Sequence, residues 1–107
     1  MSVLDTDKVD LIGLRTETGE VVLTISDHLD WNEPEQHLLT LQNKINTYIA
    51  FIESEEIHQV YPESIGRKLC IEIVTQSKYP PIGLEFLKRV QSVLESIEVS
   101  INTKVLV

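Results

Sequence analysis

Between Leu38 and Ile52 the apolar residues fall at steps of three and four, and on both sides of that stretch they fall at every second position. This change of period is the strongest constraint on the fold, because a helix face repeats about every 3.6 residues and a strand face every 2. Val21, Leu23 and Ile25 alternate with Val22, Thr24 and Ser26, which reads as a strand. So do Leu69, Ile71 and Ile73 against Cys70, Glu72 and Val74, and Val99, Ile101, Thr103 and Val105 against Ser100, Asn102 and Lys104. Residues 9–15 are strand-like as well, with Ile12 and Leu14 on one face and Val9 and Leu11 towards the other. The turn Thr16-Glu17-Thr18-Gly19 separates the first two of these strands, and Gly19 supplies the positive φ that a short hairpin loop needs.

The helical stretch has its own start signals. Asn32 is a good N-cap and Glu35 stands where a capping box closes. Glu33 places negative charge in the first turn, and Pro34 is tolerated there. Leu38, Leu41, Ile45, Tyr48 and Ile52 form the buried stripe, widened by Leu39, Ile49 and Phe51, while Gln42, Lys44, Asn46 and Glu53 fall mostly outside it. The expected helix covers residues 33–54. Residues 56–61 read equally as a short strand or a last helical turn, ended by Pro62. Tyr79-Pro80-Pro81 introduces a second helix with Leu84, Leu87, Val90, Leu94 and Ile97 on one face.

The resulting order, β-β-α-(β)-β-α-β, fits an α+β two-layer sandwich: a mixed sheet of about four main strands with two helices on one face. Parallel neighbours should be joined by right-handed crossovers. The 107 residues suit a single domain, 1–107, with residues 1–7 expected to fray.

Charge and composition narrow the function classes. Seventeen acids against nine basic residues give a net charge of −8, which disfavours nucleic acid and suits a basic protein partner. No apolar run approaches a membrane span, and MSVLDTDKVD does not read as a secretory signal. With Cys70 the only cysteine, the expected location is cytoplasmic.

Residues with chemical potential gather after the second strand. Asp27, His28 and Asp30 sit in a strand-end loop and His37 lies near the start of the helix, so a divalent ion is one reading. Against it, the chain has no HExxH or paired CxxC spacing, and the same residues serve equally as loop and cap hydrogen-bonders. Cys70 lies in a core-like strand without a base beside it, and no glycine-rich phosphate loop occurs. The expectation is therefore no catalytic set, no metal and no cofactor. Trp31 occupies a staple position, but Gln36 is not the apolar partner a staple requires. It either packs under the loop onto Leu38 or the sheet, or anchors an interface. Tyr61 and Tyr79, each before a proline, read as packed corners or contact residues.

The run SDHLDW, followed by HL-x-x-LQNKIN-x-YIAFIES-x-EI and then YP, resembles a family of small bacterial domains of unknown function. The resemblance implies a β-hairpin, a long helix and an IESGEI-type turn before Tyr-Pro. Glu55 stands where that pattern has Gly after Ser54, which argues against a left-handed cap at this turn. In being small and acidic the chain is also similar in style to bacterial immunity proteins, by analogy. The functional expectation is a non-enzymatic, acidic protein-binding module of immunity type that neutralises a basic toxin domain. Its partner-binding residues would be Asp27, His28, Asp30, Trp31, Glu33, Glu35 and Tyr61, with Glu53, Glu55 and Glu56 adding charge at the far helix end. The alternatives are a metal-dependent protein using Asp27, His28, Asp30 and His37, or a structural homodimer joined by sheet edges or aromatic corners.

Overall fold

The computed structural model describes residues 3–106. Four strands, β1 (Leu11–Arg15), β2 (Glu20–Asp27), β3 (Leu69–Thr75) and β4 (Val99–Val105), lie side by side in sequence order. The β1–β2 hairpin is antiparallel, with Leu14 opposite Val21 and Gly19 at φ +77° in its turn. β2, β3 and β4 are mutually parallel, with Leu23, Ile71 and Ile101 in one row across the sheet. The helices are α1 (Pro34–Glu53), α2 (Glu56–Val60) and α3 (Pro81–Glu95). The crossovers through α1 and α3 step the same way across the sheet, so connections of the usual right hand put both long helices on one face. Burial agrees: Val21, Leu23, Ile25, Ile71, Ile73 and Val99 are buried, whereas Thr24, Glu72, Ser100 and Asn102 on the other face are partly or fully exposed. That α+β architecture is the one the periodicity implies. None of the helices among the described residues is long and apolar enough to cross a membrane.

Several local expectations change. α1 is capped by Glu33 and not Asn32, and no side-chain cap bond forms. The reason is Pro34: the residue before a proline is pushed out of helical geometry, so the helix cannot start earlier. Residues 56–61 resolve as the short α2, followed by a 3₁₀ turn at Pro62–Ser64. Glu55 adopts φ +64° despite its side chain, so the left-handed turn after α1 survives the absence of glycine. On α3, Leu84 is exposed, and Leu94 and Gly83 are the buried positions.

The expected stripe of α1 is kept at Leu41, Ile45, Tyr48 and Ile52, with Leu38 half-buried, and the buried face widens on one side to take in His37, Thr40 and Lys44. His37, Leu41, Lys44, Tyr48 and Ile52 are buried, while Leu39 is 51% exposed. Lys44 is 0% exposed. Its ammonium lies 2.8 Å from Asp10 Oδ2 and donates to the carbonyls of Asp5 at 2.6 Å and Lys8 at 2.7 Å. For residues 3–7 this clamp corrects the expectation that residues 1–7 fray. Val3 is fully buried and its N–H donates to Ser26 O at 2.9 Å, and Thr47 Oγ1 donates to Thr6 O. Met1 and Ser2 lie outside the described residues. Tyr48 completes the seam: its hydroxyl donates to Thr24 O at 2.6 Å and accepts from Asp10 N–H at 3.2 Å.

At the opposite edge, the Ile101 N–H of β4 points away from β3 and donates to Gln91 Oε1 of α3 at 3.3 Å.

Candidate functional site

β2 and β3 end together at Asp27 and Thr75, and the loops that follow them, 28–33 and 76–80, form one end of the molecule. Sites on parallel sheets form at the carboxyl ends of the strands, where loops diverge. Here the strand end holds a buried polar cluster. The Asp27 side chain accepts from Tyr79 OH at Oδ2, lies 2.7 Å from His37 Nε2 through the same oxygen, and accepts from Leu29 N–H at 3.1 Å through Oδ1. The other ring nitrogen, His37 Nδ1, is 3.0 Å from the Asp30 carbonyl. A carbonyl has no proton to give, so Nδ1 is the donor in that contact.

The cluster is closed to chemistry as it stands. Asp27 and His37 are each 2% exposed, and both imidazole nitrogens are committed. Burial, then the hydrogen bond to Asp27 and its charge, push the Tyr79 hydroxyl well above the usual tyrosine range, so it remains a donor. Trp31 seals the cluster, stacked on His37 at 3.8 Å between ring centroids and edge-on to Tyr79 at 4.9 Å. An added Cβ on Gly83 would lie 3.0 Å from the Trp31 ring, so glycine at that position lets α3 approach the indole without displacing it. Trp31 therefore packs beneath the loop on His37, Tyr79 and Gly83, against the edge of the core.

What the cluster does is hold the loop above it. Leu29 N–H is fixed by Asp27, the Asp30 carbonyl by His37, and Asn32 N–H by Asp30 Oδ1 at 3.0 Å. Over this frame lies a groove of about 340 Å³ lined by Leu4, His28, Leu29, Asp30, Glu33, Gln36, His37 and Thr40. His28, Asp30 and Glu33 are exposed at it, and Glu35 is exposed in the first turn of α1. Asp27 supports the loop from below. Tyr61 is half-buried after α2, past the carboxyl end of α1, and does not line the groove. Glu53, Glu55 and Glu56 are exposed at that far end too.

The residues of the metal reading do not converge. Asp27 and His37 meet each other, while His28 is exposed and the Asp30 carboxylate is turned to Asn32. Among the described residues, no group of three or more His, Cys, Asp or Glu side chains is arranged to hold a metal ion. Cys70 is buried, and burial raises its thiol above the usual value. Tyr79 is the member that sequence reasoning left undecided; its place before Pro80-Pro81 was the available signal.

A family model described as a family of unknown function, DUF6572, matches residues 1–107. No curated protein and no solved structure matches the chain.

Proposed function

We propose that this chain, which belongs to the DUF6572 family, is a non-enzymatic, acidic protein-binding module whose recognition face is the groove under the 28–33 loop. The observation that carries the reading is the buried Asp27–His37–Tyr79 frame beneath an exposed acidic loop. Buried polar networks are expensive unless complete, and this one is spent on fixing the backbone of a solvent-facing segment. A loop fixed in advance loses less entropy when it binds, so the frame favours recognition. Asp30, Glu33 and Glu35 supply charge, while Leu29 and Leu4, the latter 59% exposed, offer apolar contact. The net charge of −8 steers towards a basic surface. In its specific form the partner is a toxin domain and the protein is of immunity type, acting in the cytoplasm. Support for that form is the acidity and the single free thiol of Cys70.

The test compares capture from native cell extract by the wild-type chain and by an Asp30→Asn/Glu33→Gln variant. A basic protein retained by the wild type, released by salt and lost from the variant is the expected result. A partner held equally by both would refute the assignment of this face.

A further inference from the structure

From residue 36 to residue 52, α1 presents no charge to solvent. Across the chain one residue in four is charged, yet here the basic side chains, His37 and Lys44, are both buried and no acid occurs. The exposed positions between Glu35 and Glu53 are Gln36, Leu39, Gln42, Asn43, Asn46 and Ala50. A solvated helix face ordinarily carries charge, whereas depletion of charge marks interface cores.

The same face continues into a groove of about 300 Å³ between α1 and α3. Ile45, Ile49, Phe86, Val90 and Val93 give it an apolar lining, with Val93 59% exposed. On both helices the lining residues recur at i, i+3, i+4 and i+7, so two parallel ridges flank the groove. Arg89 is the one charged residue lining it, and Glu85 on the same helix answers it at 3.4 Å.

We propose that this helical face is the interface of a twofold homodimer, occupied by a second copy of the chain. Charge selects the occupant. Two chains of net charge −8 repel through any acid-bearing surface, and α1 carries no exposed acid from residue 36 to residue 52. α1 offers no acid to a basic partner, and Arg89, the base that lines the groove, is already answered by Glu85. Asn43 and Asn46 lie near the middle of α1, where amides, being both donor and acceptor, can pair with their own copies across a dyad. With α1 ~30 Å long and the two helices together ~20 Å wide, the face offers roughly 600 Å² per copy, near the lower end for a stable dimer.

Sedimentation velocity of the full chain over a concentration series decides it. The wild type should be a dimer. Leu39→Glu and Asn46→Glu, both at exposed positions, should each weaken the dimer about 100-fold or more by setting like charges across the axis, with unchanged far-UV circular dichroism. Ser100→Glu adds the same charge to the open sheet face and should leave the dimer intact. A wild-type monomer up to roughly 100 µM, leaving the face to a different partner, overturns the proposal. So does a dimer that persists in both helix variants.

Discussion

Replacing Lys44 by methionine keeps the length and the apolar stem of the side chain while withdrawing its charge and its donors. The ammonium is fully buried, lies 2.8 Å from a carboxylate whose side chain is 6% exposed, and donates to two backbone carbonyls. Breaking a buried pair by removing one partner costs about 3–5 kcal/mol, because the remaining charge stays desolvated. The N-terminal segment offers an escape, since undocking residues 3–10 lets Asp10 and the two carbonyls reach water. That escape forfeits the burial of Val3, about 1.5–3 kcal/mol, and net hydrogen bonds of about 1 kcal/mol each at Ser26 and Thr6. Both routes cost about 3–5 kcal/mol, a large part of the 5–15 kcal/mol typical of a domain. Urea unfolding measures the loss, and amide exchange at Val3 separates the routes: protection disappears if the segment undocks. Lys44→Met/Asp10→Leu, which removes the orphaned charge, should recover most of the loss. A single variant within about 1 kcal/mol of wild type, with Val3 still protected, would refute the clamp.

Two further outcomes follow from the backbone and the buried hydroxyls. Glu55→Gly relieves the φ of +64° and should stabilise the chain by about 1 kcal/mol or less, read from the urea midpoint, since the added freedom of the unfolded glycine offsets part of the relief. Burial foremost, with the Asp10 charge adding to it and the Asp10 backbone hydrogen bond opposing, raises Tyr48 to about 12, against about 10 for an unfolded tyrosine. A raised folded value means stability is intact below pH ~10 and is lost as pH climbs through ~12; Tyr79 shifts in the same direction. Tyr48→Phe should therefore shrink the alkaline loss seen in unfolding across that window, while lowering stability at neutral pH by about 1–3 kcal/mol through the unmet Thr24 carbonyl and Asp10 N–H.

The sheet was legible because Val21, Leu23 and Ile25, and their counterparts in β3 and β4, obey a period that only one face of a strand produces. α1 was legible in extent and in most of its buried stripe, but the full width of its buried face was not. The stripe Leu41, Ile45, Tyr48 and Ile52 was readable, but the buried face extends further, to a lysine at 44 that reads as lying outside the stripe and a histidine at 37 that reads as a loop or cap hydrogen-bonder. Both are buried only because distant segments meet them: Asp10 and the carbonyls of residues 5 and 8 for Lys44, Asp27 and the Asp30 carbonyl for His37. Pairings of that kind depend on tertiary contact and leave no periodic trace. The exposed acids of the candidate site were visible as composition, whereas its frame required knowing that Tyr79 returns to the end of β2.

The single amide of Gln91 has a consequence for how copies of this chain can assemble. A seven-residue outer strand with a free row of donors is a template on which another chain can polymerise as a further strand. By occupying the Ile101 donor, Gln91 interrupts that row near its middle, so a newcomer meets two short stubs in place of a continuous ladder. Growth by strand addition, which has no natural stopping point, is discouraged, while association through a helical surface ends at two subunits by symmetry.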